Sequence, residues 1–283
     1  MIRSLLFAPA DSAPKLGKAV ASAADTVICD LEDSVAPANK EAGRTTLAEF
    51  LRSASADKPI FVRVNALDTG ETLKDLAAVM PFAPFGIVLP KCRNGADVQT
   101  LGHYLAAFEA AHALTTETKI LGIATETASS IFGLGAYTAD PRLWGLMWGG
   151  EDLMADIGAL DNRDTTGTWS GPFALARSLC LFAAANAGVV AVDTVTAKLD
   201  DPTGLERECT DARRDGFQAK AAIHPKQLEA INRLFQASEE SLVWAKRVLE
   251  AVATAGGGVA KLDGKMLDAP HVRSAKRILG TGK

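Results

Sequence analysis

The chain has 283 residues, of which 48% are hydrophobic and 23% charged, with 12 prolines; this composition supports a substantial core and excludes a disordered or fibrous protein. The length suits one large domain or two small ones, and α/β barrels use about 250 residues as a single unit. A formal net charge of −4 leaves no basic excess to neutralise phosphates, so neither nucleic acid nor an anionic membrane is expected as a partner.

Along the chain, short apolar runs alternate with segments of helical periodicity. The first run, Ser4–Ala8, reads as a strand, and the stretch Ser4–Ala10 ends at Asp11, too soon for a secretory signal. A helix is predicted over Ala13–Ala23, then a strand over Thr26–Asp30, a helix over Lys40–Ser53, a strand over Ile60–Val64 and a helix over Gly70–Met80. The alternation continues with a strand at Gly86–Leu89, a helix at Gly95–Ala113, and strands at Ile120–Ala124, Leu143–Trp148 and Val189–Val195. A helix at Leu205–Asp215 leads to a last strand at Ala219–Ile223. Strand then helix about eight times over predicts an α/β fold of the TIM (β/α)8 barrel type. The rival, a doubly wound sheet, normally feeds its first strand into a glycine-rich phosphate turn, and Ala8-Pro9-Ala10-Asp11 is not one. The longest uncharged apolar stretch, Ser178–Val192, contains Asn186 and Gly188 and falls short of the roughly 20 residues of a membrane span. Cys29, Cys92, Cys180 and Cys209 stand singly without CxxC spacing, the expectation for a reduced, cytoplasmic protein. Beyond the eighth strand, Pro225–Phe235 and Ser238–Ala253 read as helices, and Gly256-Gly257-Gly258 breaks the chain before a tail. The expected domains are therefore a barrel over 1–235 and a C-terminal helical extension over 236–283, in which Lys261–Pro270 reads as too short and polar to form a core of its own.

Barrel active sites form where strands end, and these ends are polar. They read Asp30-Leu31-Glu32-Asp33, Arg63-Val64-Asn65, Pro90-Lys91, Thr125-Glu126-Thr127, Gly149-Gly150-Glu151-Asp152 and His224-Pro225. Glu126 and Asp152 follow neighbouring strands, and two converging carboxylates suit a hard cation such as Mg²⁺ or Mn²⁺. The competing reading makes them solvated loop acids or helix N-caps. His103 and His112 sit nine apart in one helical segment and form no zinc or iron cluster. Arg63 emerges from an apolar strand as a planar fork for a substrate carboxylate, or pairs with the Asp30–Asp33 acids, and both roles are compatible. The backbone at Gly149-Gly150 can approach an anion closely. Lys91 is the mechanistic rival, as a Schiff-base nucleophile, although Arg93 and Asn94 make its surroundings basic and wet. His224, before Pro225, reads as a packed or capping residue.

The stretches RSLLFAPADSAPKLGKA from Arg3, DTVICDLEDSVAP from Asp25, FVRVNALDT from Phe61, GIVLPK from Gly86, TETA from Thr125, WGGEDLMADIGA from Trp148, AIHPKQL from Ala222 and DGKMLDAPHV from Asp263 together resemble the citrate lyase β-subunit-like branch of the HpcH/HpaI aldolase family, the CoA-ester lyases. The resemblance covers nearly the whole chain in order. It implies a TIM barrel that uses Mg²⁺ or Mn²⁺ to cleave or form a hydroxyacyl-CoA, such as malyl-CoA or citramalyl-CoA, from an acyl-CoA and a 2-oxo acid. Carried onto this sequence, it places the metal on Glu126 and Asp152 and the substrate carboxylate on Arg63 with the Gly150 and Glu151 backbone. Glu32 and Asp33 become the acids behind the metal's water, and Asp268 the acid/base group on a lid segment that closes a neighbouring subunit's barrel. The implied assembly is a homotrimer or hexamer. Thr125 replaces an aliphatic residue common among relatives, which puts a hydroxyl beside the expected metal site, and Ala10 replaces a glycine. The alternatives are an aldolase acting on free 2-oxo acids and a citrate lyase complex subunit acting on an acyl-carrier-protein thioester.

Overall fold

The computed structural model describes residues 2–53, 58–255 and 259–280. The Gly256-Gly257-Gly258 break expected from the sequence lies outside them. Two compact units partition the chain, Ile2–Arg233 and Leu234–Lys283.

The larger unit is a closed barrel of eight parallel strands in sequential order. The strands are β1 (Ser4–Pro9), β2 (Thr26–Asp30), β3 (Ile60–Arg63), β4 (Gly86–Leu89), β5 (Lys119–Ile123), β6 (Leu143–Met147), β7 (Val190–Asp193) and β8 (Ala219–Ala222). The connecting helices are α1 (Ala13–Val20), α2 (Lys40–Ser53), α3 (Thr72–Val79), α4 (Gly95–Ala111), α5 (Ala128–Gly133), α6 (Glu151–Asp156), α7 (Gly171–Ala187) and α8 (Pro202–Asp215), with α9 (Leu228–Leu234) after the last strand. Closure comes from β1, which pairs with both β2 and β8.

Strand parity explains both the core and the mouth. Leu5, Ile28, Phe61, Val88, Leu121, Val192 and Ala219 meet inside the barrel, and side chains two residues further along a strand face the same way. Phe7, Asp30, Arg63, Ile123 and Ala221 follow that step, so the inward column changes from hydrocarbon to ionic as β2 and β3 reach the mouth. The opposite parity sends Trp148, Asp193 and Lys220 outward. β2 and β4 have the bounds the sequence suggested, and β3, β6 and β8 each end one residue sooner, because Val64, Trp148 and Ile223 have left the ladder for the loop.

The apolar Ser178–Val192 stretch is the second half of α7, a turn at Gly188 with φ of 70°, and the start of β7. Among the described residues no helix is long and apolar enough to cross a membrane.

The smaller unit comprises α10 (Glu239–Thr254), a hairpin of β9 (Ala260–Leu262) and β10 (Lys265–Leu267), and α11 (Ala269–Ile278). Lys261–Pro270 forms no core by itself, as expected, but shares one with the two helices of the unit. Ala260 and Leu267 of the hairpin pack with Ala245, Val248 and Ala275. The turn explains how so short a segment manages this: Asp263 and Gly264 have φ of 48° and 78°, the two left-handed residues of a type I′ turn, for which Asp-Gly is a preferred pair. Asp263 also pairs with Arg247 at 2.6 Å.

Candidate active site

The barrel mouth holds a cavity of about 200 Å³ lined by, among others, Asp30, Asp33, Arg63, Glu126, Glu151 and Asp152. Five of the residues singled out in the sequence thus meet at one place, and Gly150 lines the same cavity.

Arg63 and Asp30 are register partners on adjacent strands, and their side chains form a fork-to-fork pair. Nε and Nη2 of Arg63 donate to the two carboxylate oxygens of Asp30, each at 2.7 Å. Burial alone would raise the Asp30 carboxyl, but the Arg63 hydrogen bonds and charge outweigh it and hold the group below the usual carboxylate range. Nη1 of Arg63 lies 3.0 Å from Glu32 Oε2 and 4.0 Å from Asp33 Oδ2, and the guanidinium sits over the Phe7 ring at 5.0 Å. Pairing with the acid loop is therefore real, and the cavity-lining position of Arg63 keeps the substrate role open to it.

Glu32 reaches two cations, Arg63 and Lys91. Its Oε2 lacks hydrogen-bond alignment and is the one buried side-chain oxygen or nitrogen among the described residues without a hydrogen-bond partner. Burial raises the Glu32 carboxyl against the lowering effect of Arg63. The loop is held from behind: Asn65 donates to Leu31 O at 3.1 Å and to Asp75 at 2.7 Å, and Lys40 Nζ donates to the carbonyls of Leu31 and Glu32.

Lys91 has a left-handed backbone, φ of 49°, unusual for a residue with a long side chain. That conformation turns its N–H onto Glu126 Oε2 at 2.5 Å, while its ammonium lies 3.7 Å from Asp152 and 4.0 Å from Asp33. Desolvation would lower the Lys91 amine, but Glu32, Asp33 and Glu126 together raise it above its ordinary value. A Schiff-base role needs a neutral amine, which the surrounding acids oppose. The cause differs from the one expected: Arg93 turns away to Asp97, and acids rather than bases surround Lys91.

Glu126 is 3% exposed. Burial first, and then the charges of Glu32 and Asp152, push its carboxyl up to about 8. A buried carboxylate beside two others is a site short of positive charge, and the orphaned Glu32 oxygen and the drawn-in Lys91 ammonium report the same shortage. Among the described residues no three carboxylate, imidazole or thiolate side chains form a ready cage. Glu126 and Asp152, two carboxylates lining one cavity, are a donor set of the kind that suits Mg²⁺ or Mn²⁺, which accept few protein oxygens and keep positions for other ligands, and lack the nitrogen and sulfur ligands typical of zinc.

The turn carrying Asp152 is fitted tightly to Glu126. A Cβ on Gly149 would sit 2.7 Å from Glu126 Cγ, so glycine is what allows the two to approach. The Thr125 hydroxyl, expected beside the metal site, is instead consumed by Gly149: it accepts that residue's N–H at 2.9 Å and donates to its carbonyl at 3.2 Å. The outward side chains add a second brace, unnoticed in the sequence. Trp148 Nε1 donates to the buried Asp193 at 2.7 Å, and Lys220 Nζ donates to the other oxygen at 2.7 Å. Burial would raise Asp193, but Lys220 and Arg177 hold it low. A lysine between alanines on a fully buried strand was the signal that could have shown it. Glu151 accepts from Asn162 at 2.8 Å. His224 caps a turn by accepting the Lys226 N–H. Asp268, in the smaller unit, is the N-cap of α11 and lies 2.6 Å from His271 Nδ1, with 56% of its side chain exposed.

A family model described as HpcH/HpaI aldolase/citrate lyase matches residues 3–225. The chain belongs to that family. It is 35% identical over 275 residues, 97% of this chain and 93% of the relative, to a citrate lyase subunit beta-like protein of Mycobacterium tuberculosis. A (3S)-malyl-CoA thioesterase of Cereibacter sphaeroides is 34% identical, with 98% of this chain and 93% of that one covered. Among solved structures, the CitE protein of Mycobacterium tuberculosis in complex with magnesium, acetoacetate and coenzyme A superposes with a TM-score of 0.78 at 33% identity, covering 99% of this chain and 97% of that one. Family membership makes the chain a lyase-type enzyme of the citrate lyase β-subunit-like group.

Proposed function

We propose that the protein is a metal-dependent carbon–carbon lyase that cleaves, or forms, a hydroxyacyl-CoA of the malyl-CoA or citramalyl-CoA type, with an acyl-CoA and a 2-oxo acid as the other partners. The observation that carries the reading is the pairing, in one barrel mouth, of a cation-deficient carboxylate set with a buried arginine fork. The relative described with magnesium and coenzyme A supports Mg²⁺ and a CoA thioester for this chain as well.

Glu126 and Asp152 would hold the ion, which when bound supplies Lewis-acid polarisation of the oxo acid's carbonyl. Arg63 and the Gly149–Glu151 backbone orient the substrate carboxylate, and the Asp30 pair keeps the Arg63 fork from swinging out of register. Glu32 and Asp33 accept hydrogen bonds from water at the same place. Asp268 of an adjacent subunit takes the α-proton from the acyl-CoA to leave the thioester enolate, and in the cleavage direction returns a proton to that enolate. The second unit is thereby a lid, and the enzyme a homotrimer or hexamer with shared sites.

The test incubates the isolated chain with Mg²⁺, acetyl-CoA and either glyoxylate or pyruvate, read by mass spectrometry. A hydroxyacyl-CoA of the summed mass, absent with Glu126→Gln, is expected. Condensation only with an acyl-carrier-protein thioester, or aldol chemistry only without CoA, would replace this reading. For Asp268, mixing inactive Asp268→Asn with inactive Glu126→Gln under subunit exchange should restore partial activity; no recovery despite exchange would remove Asp268 from the neighbouring site.

A further inference from the structure

A carboxylate that takes a proton from carbon has to be held with one oxygen aimed at the reacting atom. The backbone of Asp268 is fixed from both sides: Leu267 before it is a buried member of β10, and Pro270 after it opens α11 with a preset φ. Its side chain is 56% exposed and draws no such restraint from burial. His271 supplies the restraint. Residues three apart lie on one face of a helical turn, and His271 Nδ1 stands 2.6 Å from Asp268 Oδ1 and 3.2 Å from the Asp268 backbone nitrogen.

Those two contacts make opposite demands on one nitrogen. To accept the backbone N–H, Nδ1 has to offer a lone pair; to bond an ionised carboxylate, which only accepts, it has to carry a hydrogen. The carboxylate contact is the shorter and is charge-assisted, so donation from Nδ1 to Oδ1 is the stronger arrangement. Tying Oδ1 leaves Oδ2 free. We infer that His271 is a positioning residue for Asp268, its Nδ1–H holding Oδ1 so that Oδ2 is the oxygen presented to the α-carbon of the acyl-CoA. The inference rests on the reading of Asp268 as the acid/base group. In the condensing direction Oδ2 takes the α-proton, the C–H electron pair stays on the enolate, and the Nδ1 hydrogen remains on His271; in cleavage the proton returns to carbon from Oδ2. The structural counterpart is a helix cap, in which Nδ1 merely receives the Asp268 N–H.

Substitutions at His271 separate the two roles. Glutamate in the third helical position can still receive the Asp268 N–H, as in a capping box, but cannot donate to a carboxylate; glutamine can do either, and leucine neither. Exchange of the acetyl-CoA methyl protons with D2O on the Mg²⁺-loaded full-length enzyme, read by mass spectrometry, reports the Asp268 step by itself, and condensation with glyoxylate adds kcat and KM. H271E and H271L should lose about 30-fold or more in exchange and in kcat, with KM for acetyl-CoA within about threefold of the parent, and H271Q should recover to within about fivefold. Heteronuclear NMR of the histidine side chains should show His271 protonated at Nδ1 in the parent and should lose that signature in D268N. Parental rates in both H271E and H271L with D268N inactive overturn the inference and leave Asp268 as the base. A parental rate in H271E with a slow H271L, or an unprotonated Nδ1 in the parent, reduces His271 to a cap and overturns it as well. Parental exchange in D268N overturns the Asp268 reading itself, and no exchange in the parent overturns the lyase reading; the inference falls with either.

Discussion

Replacing Glu126 by glutamine removes the proton that metal-free protein holds at this site. Burial, with Glu32 and Asp152 adding to it, displaces the carboxyl from 4.5 to about 8, and that displacement corresponds to on the order of 5 kcal/mol. Between those pH values the folded chain keeps a proton that the unfolded chain has released, so the unfolded state binds fewer protons and stability falls as pH rises. Glutamine has no proton to lose, and its amide oxygen can still accept the Lys91 N–H. Urea unfolding of metal-free protein from pH 5 to 9 should therefore show the barrel of the parent protein weakening through pH 8 relative to E126Q, by about 3–5 kcal/mol at the alkaline end. Adding Mg²⁺ should recover most of that difference in the parent and little in E126Q, because a bound cation stabilises the ionised carboxylate. Parallel pH profiles for the two proteins would refute the charge-deficient account of the mouth.

Three other substitutions probe the supports. Gly149→Ala forces a methyl against Glu126 Cγ and should cost about 1–3 kcal/mol by overpacking while weakening Mn²⁺ affinity, read by electron paramagnetic resonance; unchanged affinity would separate the turn from the metal. Arg63→Lys replaces the bidentate fork on Asp30 with a point charge and should raise KM for the oxo acid while sparing that for acyl-CoA, with equal losses pointing to a purely organising role. Trp148→Phe leaves Asp193 paired with Lys220 but removes the indole donor and should lower stability by about 1–3 kcal/mol, checked by thermal unfolding; no loss would mean that the indole bond does not brace the turn.

The barrel was legible because each strand is a short apolar run bounded by polar residues, and the strand-end rule brought out Arg63, Glu126 and Asp152 without any knowledge of pairing. The Asp30 and Arg63 pair was harder, since it depends on register between strands 33 residues apart. α7 escaped notice because its helix is apolar on nearly every side and runs almost directly into β7, so no periodicity separates the two. The hairpin in the tail went unread, although Asp263-Gly264 carried its turn signal. Thr125 lies against the Gly149 turn that leads to Asp152, but its partner is a peptide group, and no side-chain pattern encodes that.

The central claim is that the barrel mouth binds a divalent cation between Glu126 and Asp152, where the carbon–carbon bond is made and broken. Soaking crystals in Mn²⁺ with pyruvate and collecting anomalous diffraction tests it most directly. The account predicts one strong peak within about 2.0–2.3 Å of an oxygen from each carboxylate, with the oxo acid completing the coordination and Arg63 in place. A peak elsewhere, or pyruvate bound at the mouth with no metal beside these two residues, would contradict it.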